Sequence, residues 1–296
     1  MFLIVGGDSE IGAAAYRAMQ AQGLVVAATT RRRELVSAGR PFLDLAADIN
    51  AFEPPPHTQT VCICAAIARI AACAADPNGT ALINVDRTLG LADKFLSRGI
   101  YVLFLSTNQV FDGLTPHVAP DAPYSPVSEY GRQKARTEAA LRERIAQGAP
   151  AGILRLAKVV SARMALLDGW IANLSAGAAI GAFTDMTLAP TPIDLVCAAI
   201  IALLRDRPSG IFQFTGPRDV SYAEVGRFLA AYCNVDPSLV KETSARAAGL
   251  PEGSTPANTT LDSVMLRDRY GLEAPDVWQV LERLAAATTA TRCSGR

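Results

Sequence analysis

Short apolar runs rich in Val, Ile and Leu recur along the chain and alternate with longer alanine-rich segments whose apolar positions follow a helical period. This alternation predicts a parallel sheet with helices on both faces: a strand covered on both sides reads as an unbroken apolar run, and each helix carries the chain back across the sheet. Strands are predicted over 2–5, 24–29, 60–64, 100–106, 151–156 and 211–214, and helices over 10–22, 78–98, 128–147 and 190–206. The last helix opens with "PTPID", which places proline in its first turn. After residue 157 the alternation fades. "SYAEVGRFLAAY" predicts another helix, capped by Ser with Glu three residues on, and "GLPEGSTPANTT" predicts a loop. With no repeat or low-complexity linker between the halves, the expected architecture is an α/β, doubly wound parallel sheet with a smaller carboxyl-terminal lobe. The sheet domain is expected from 1–157 with 187–206, and the lobe from 158–186 with 207–296.

Composition narrows the setting. The 28 basic and 28 acidic residues cancel, and no stretch interleaves Lys or Arg with aromatics, so nucleic acid is not an expected partner. The amino terminus "MFLIVGGDSE" lacks a basic leader, and the most apolar runs are shorter than a bilayer span and broken by charge. No membrane association is expected, and the protein is read as soluble and cytoplasmic. Cysteines at 62, 64, 73, 197, 233 and 293 sit mostly in apolar stretches, and with only two histidines no zinc-ligand spacing exists; buried thiols and no metal are expected. His57 and His117 have no nucleophile motif nearby, which argues against a histidine-based hydrolase.

"FLIVGGDSEIGAAAYRAM" reads as a strand, a tight glycine turn and a helix, an arrangement that aims a helix amino terminus at a diphosphate. The glycine frame falls on Gly6, Ser9 and Gly12, and the Ser9 hydroxyl is a candidate donor to a phosphate oxygen. The end of the second strand reads "VVAATTRRRE". An acid that would grip ribose hydroxyls is absent there; Thr29 and Thr30 offer hydroxyls, and Arg31, Arg32 and Arg33 can pair with a phosphate. NADP is therefore the expected cofactor and NAD the less favoured one.

In "SEYGRQKARTEAALRER" helical geometry puts Tyr130 and Lys134 on one face. A reductase needs a proton donor for the oxygen that hydride turns into an alkoxide, and a phenol serves when a nearby cation lowers its pKa. Only four lysines occur in a chain whose other cations are arginines, so a lysine at this spot points to a requirement for an ammonium. "FLSTNQVFDG" ends the fourth strand with Ser106 and Thr107 at the carboxyl edge, where open α/β sheets bind ligands.

Taken together, "VGGDSEIG", "LDLAAD", "INVDRT", "LSTNQVFDG", "PDAPYSPVSEYGRQKARTE", "ILRLAKVV" and "TPANTTLD" resemble the extended short-chain dehydrogenase/reductases, and within them the dTDP-4-dehydrorhamnose reductase branch. The resemblance implies reduction of the 4-keto group of a nucleotide-linked deoxysugar, with a nucleotide-sugar substrate as partner; a homodimer is compatible with it. It implies Tyr130 as general acid, Lys134 as its partner and ribose ligand, and Thr107 as the hydroxyl that orients the keto oxygen. It implies a diphosphate lined by Gly6, Ser9, Glu10, Ile11 and Gly12, and a 2′-phosphate facing Arg31 and Arg32. Asp44 and Leu45 are implied beside the adenine, Ala65 and Ala66 beside the nicotinamide, and Asn108 and Val110 beside the substrate. Two departures lie near the substrate. Thr107, Asn108, Gln109 stands where the branch commonly has Thr-Asp-Tyr, and Arg155, Leu156, Ala157, Lys158 replaces Arg-Thr-Ser-Trp. Lys158 makes an anionic or strongly polar substrate group the expectation. An epimerase that retains its cofactor and a non-catalytic NADP-binding regulatory subunit stay open as alternatives on these residues.

Overall fold

The computed structural model describes residues 1–161, 164–250 and 254–294, with side chains to residue 289. Five parallel strands come first: β1 (Phe2–Val5), β2 (Val26–Ala28), β3 (Thr60–Ile63), β4 (Tyr101–Thr107) and β5 (Ala151–Leu156). Short pieces β6 (Val159–Val160), β7 (Ile180–Phe183), β8 (Thr187–Leu188) and β9 (Thr191–Pro192) follow, then β10 (Gly210–Phe214), β11 (Val220–Ser221) and β12 (Val240–Thr243). The principal sheet runs β10-β5-β4-β3-β1-β2, all parallel. Among the described residues no helix is long and apolar enough to cross a membrane.

One face of the sheet is covered by α1 (Glu10–Ala21), with Ala15 and Met19 in the same core cluster as Ile4, Ala28, Leu103 and Leu154. The other face carries α2 (Ile70–Ala75), α3 (Pro77–Ala81), α4 (Thr88–Leu96) and α5 (Glu129–Ala146), where Leu91, Phe95 and Leu141 meet Leu3, Val61 and Phe104. The single helix expected over 78–98 is instead α3, a π-helical turn at Leu82–Arg87, and α4. Asn84 explains the interruption: its side chain turns inward to the loop after β3, and its carbonyl accepts from the Thr137 hydroxyl at 3.0 Å.

The lobe has its own core, built from α6 (Ala165–Ser175), α8 (Tyr222–Tyr232) and α10 (Val277–Ser294) around β7, β8, β11 and β12. The capping box expected in "SYAEVG" is present: Ser221 Oγ accepts from the Glu224 amide, and Glu224 accepts from the Ser221 amide at 2.7 Å. The expected boundary at 207 does not hold. β10 pairs with β5 as the edge of the principal sheet, and Leu266 of α9 (Val264–Tyr270) with Ala274 joins the core under α1 and α7 (Ile193–Asp206). Conversely β8, expected in the sheet domain, pairs with β11 in the lobe. The chain thus leaves and re-enters the sheet domain more often than its hydrophobic pattern reveals.

A buried ion pair fastens α5 to the sheet. Arg155 on β5 donates to Glu138 at 2.7 to 3.1 Å, to Gln213 Oε1 on β10 at 3.0 Å and to the Pro120 carbonyl at 2.9 Å. Both charged side chains are wholly buried, and the guanidinium lies 4.9 Å from the Phe111 ring centroid. Every charged atom that burial strips of water is matched by a partner. Five cysteines are free thiols, three buried and two partly so, with Cys62 and Cys64 sulfurs 3.5 Å apart; the side chain of Cys293 lies outside the described residues.

Candidate active site

At the carboxyl edge of β1 the chain turns through Gly6, whose φ of +92° suits glycine and where a Cβ would stand 2.7 Å from the Ala65 amide nitrogen. Gly12 is as constrained, since a Cβ there would lie 2.3 Å from the Gly6 carbonyl oxygen. Ser9 caps α1, its hydroxyl accepting from the Gly12 amide at 3.1 Å and donating to the Gly6 carbonyl at 2.7 Å. The Ser9 hydroxyl, expected to donate to a phosphate oxygen, is engaged here by the turn and the helix. Glu10 is exposed and Ile11 packs against the sheet, so their contribution is the pair of amides that head α1 without intrahelical acceptors.

A cleft opens over this turn, lined by Gly6, Asp8, Ser9, Thr29, Arg31, Asp44, Leu45, Ala65 and Ala66, with Ile67 and Ile83 behind. Seven of the predicted cofactor positions meet here; Glu10, Ile11, Gly12, Arg32 and Lys134 do not line it. Asp8 was missed. Its carboxylate accepts from the Thr30 hydroxyl at 2.9 Å, the Arg31 amide at 2.9 Å and Arg40 Nη2 at 2.9 Å, with Arg32 Nε at 3.8 Å. Burial pushes this carboxyl up, but those bonds and the two guanidinium charges outweigh it and hold it below its ordinary value. The signal was available: an acid inside a glycine turn, on a chain with an arginine run at the neighbouring strand end. A glycine cradle closed to any Cβ, helix-end amides, and a cleft whose lining includes the apolar side chains of Leu43, Leu45 and Ile67 together fit a dinucleotide.

The second group of predicted residues gathers where β4 meets α5. Thr107 ends β4, and its hydroxyl accepts from the Gln109 amide at 3.3 Å and lies 3.4 Å from Asn108 Oδ1. The following turn sits directly on the first turn of α5, because Gly131 has no Cβ and the Gln109 carbonyl oxygen occupies a point 2.1 Å from where one would be. Ser128 caps α5 through the Gly131 amide and donates to Gln109 Oε1 at 2.8 Å. Gln109, expected to matter to substrate choice, thus holds the Thr107 turn to the Tyr130 turn. Val110, expected beside the substrate, is fully buried in a small core with Phe111, Ala135 and Leu261. That correction follows from its apolar side chain facing inward on the turn. Lys158 is exposed, two residues past Leu156, which stands in register with Thr107 across the sheet.

Tyr130 is buried, and burial pushes its phenol well up, with the Cys73 thiol adding to the rise. Lys134 is also buried, and desolvation draws its ammonium down to about 8. Its Nζ donates to the Leu105 carbonyl at 2.8 Å and lies 4.3 Å from the Phe104 ring centroid. The expected lowering of the phenol by the lysine is therefore not the state of the free site, where desolvation dominates both groups. Between the two residues lies Gln133, wholly buried, accepting from Asn84 Nδ2 at 2.8 Å and donating to Thr80 Oγ1 at 2.9 Å. Asn84 in turn accepts from the Ile67 amide at 2.8 Å and donates to its carbonyl at 2.9 Å. A continuous chain of hydrogen bonds therefore joins the cleft wall at Ile67 to the helix that carries Tyr130 and Lys134. Neither Asn84 nor Gln133 stood out in the sequence, where a lone amide shows no partner. Among the described residues no cluster of three or more His, Cys, Asp or Glu side chains could hold a metal ion.

The family model for the RmlD substrate binding domain matches residues 1–290. The chain is 30% identical over 232 residues to the probable low-salt glycan biosynthesis reductase Agl14 of Haloferax volcanii, covering 76% of each. It is 24% identical over 273 residues to the dTDP-4-dehydrorhamnose reductase of Sinorhizobium fredii, covering 86% of this chain and 89% of that one. The crystal structure of dTDP-4-dehydrorhamnose reductase from Bacillus anthracis, in complex with NADP, superposes with a TM-score of 0.77 at 18% identity, over 96% of this chain and 97% of that one. At that identity the likeness concerns the fold.

Proposed function

Because this chain belongs to the RmlD substrate binding domain family, we propose that it is an NADPH-dependent reductase of a nucleotide-activated 4-keto-deoxysugar. The chain is an oxidoreductase in a family whose curated relatives are named reductases. The observation that carries the finer reading is the Ile67–Asn84–Gln133 chain, which ties the dinucleotide cleft to the one helix turn that bears a buried phenol and a buried ammonium.

NADPH, when bound, supplies the hydride. The chain's own residues do the rest. The glycine turn and the amides of Glu10 and Ile11 at the head of α1 would hold the diphosphate, Arg31 would face the phosphorylated ribose, and Ala65 and Ala66 would border the reactive ring. Thr107 offers a hydroxyl to the keto oxygen, and Tyr130 gives up its proton as that oxygen gains charge. Lys134, one helical turn past Tyr130, would make the transfer easier by stabilising the forming phenolate against the burial that raises the phenol. Exposed Lys158 meets the anionic part of the substrate.

The test is calorimetric titration with NADPH alongside reduction assays on nucleotide-linked 4-keto-sugars. Tyr130→Phe is expected to bind NADPH as the native chain does and to lose turnover by two or more orders of magnitude, while Lys158→Ala is expected to raise KM and leave kcat close to native. Undiminished turnover in Tyr130→Phe would remove the acid assignment, and an unchanged KM in Lys158→Ala would remove Lys158 from the substrate site.

A further inference from the structure

The end of β2 carries no acid of its own, yet a carboxylate stands there, delivered by the glycine turn. Asp8 lines the cleft beside Thr29 and Arg31, and its oxygens hold the Thr30 hydroxyl and the Arg31 amide, the two groups that finish β2. The chain then runs out through the arginines and returns: the Ala28 amide donates to the Gly39 carbonyl and the Thr30 amide to the Pro41 carbonyl, each at 3.0 Å. That return sets Arg40 Nη2 2.9 Å from Asp8 while its Nε stays buried with no acceptor among the described residues. Arg32 approaches the same carboxylate at 3.8 Å with 59% of its side chain in solvent.

A carboxylate between two guanidiniums has two distinct relations to a dinucleotide. A 2′-phosphate needs the guanidiniums that Asp8 engages and is repelled by Asp8 itself, whereas unphosphorylated ribose hydroxyls need an acceptor, which Asp8 supplies. We propose that Asp8 is the selectivity-determining residue of the dinucleotide site, competing with a 2′-phosphate for Arg32 and Arg40 and accepting from the ribose hydroxyls of a dinucleotide that lacks it. The inference rests on the reading of the cleft as a dinucleotide site. It makes the native chain less discriminating than its arginine run implies, because one acid offsets part of the positive field.

The test is calorimetric titration of the full chain with NADPH and NADH, native against Asp8→Asn, at low and high salt. In Asp8→Asn the ratio of the NADH to the NADPH dissociation constant is expected to rise by about tenfold or more, through tighter NADPH and weaker NADH, with the NADPH gain shrinking at high salt. An unchanged ratio, or equal weakening of both, would show that Asp8 only braces the loop and would overturn the proposal. Should Asp8→Asn fail to fold, exposed Arg32→Ala reads the same competition: it must weaken NADPH and leave NADH unaffected or tighter, and an equal effect on both refutes it. If the native chain binds neither dinucleotide, the reading of the cleft falls and this inference with it; binding of both with no change of ratio removes the inference alone.

Discussion

At the rim of the glycine turn two arginine side chains stand in water, above threonines that are buried. Arg31 and Arg32 are exposed, and Asp8 shares its carboxylate among four donors at the rim of the cleft. On the inward face of α5 the polar side chains are sealed: Gln133, Glu138 and its β5 partner Arg155 have no exposure at all. A rim of solvated charges can trade partners at little cost, because water stands ready to replace any bond that is given up. A sealed network cannot, since each broken bond leaves a desolvated group behind. The rim of the cleft proposed for the dinucleotide can therefore exchange partners, whereas the α5 network proposed to carry the catalytic residues stays fixed.

The sharpest way to break this contrast is to cut the sealed half. Arg155→Met strands the Glu138 carboxylate and Gln213 Oε1 without their donor, and should cost about 3–5 kcal/mol in urea denaturation. Adding Glu138→Leu to Arg155→Met should recover much of that loss, because the stranded charge goes with it. A single-variant cost below about 1 kcal/mol would mean that water reaches the pair, and the sealed description would fail.

Lys134 gives a smaller and pH-dependent effect. Burial lowers its ammonium from 10.5 to about 8, so between those values the unfolded chain holds a proton that the folded chain has lost. Stability gained from this group therefore rises with pH from about 8 to 10.5. Below 8 both states are protonated, and the full burial cost of roughly 3 kcal/mol stands. Subtracting the pH profile of Lys134→Met from that of the native chain should leave this upward slope. A flat difference would place the ammonium in water rather than against Phe104 and the Leu105 carbonyl.

Much of the scaffold was legible because it is written in periodicity. β1, β5 and the limits of α1 and α5 follow from apolar runs and from Ser9 and Ser128 as caps. What escaped depends on partners far apart in the chain. Asn84 turns one expected helix into three pieces through bonds to Ile67 and Gln133, 17 and 49 residues away. The resemblance implied Val110 beside the substrate, but its side chain packs with Leu261, and the turn that carries it is held to α5 through Gln109 and Ser128. Asp8 was invisible as a β2-end acid because it arrives from another loop, 22 residues before Thr30. The glycine turn was legible through its backbone and Tyr130 and Lys134 through their spacing, whereas the buried amides and ion pair that hold α5 depend on distant partners and were not.

The smallest effect tests whether that backbone reading of the dinucleotide half is right. Ser9 stands where the glycine frame expects no side chain, with φ −76° and ψ 158°, an extended conformation that does not require glycine. Its hydroxyl is spent on the Gly12 amide and the Gly6 carbonyl, so it has no free proton for a phosphate oxygen. Ser9→Ala should then cost about 1 kcal/mol of stability through the lost cap, and Ser9→Gly only a few tenths, as glycine leaves the helix amides open to solvent. Neither change should weaken NADPH binding by more than about twofold, since the proposed donors to the diphosphate are the amides of Glu10 and Ile11. A tenfold loss of NADPH affinity in Ser9→Gly, without a matching loss of stability, would mean that the hydroxyl swings to the phosphate on binding. The rim's readiness to trade partners would then extend into the turn itself.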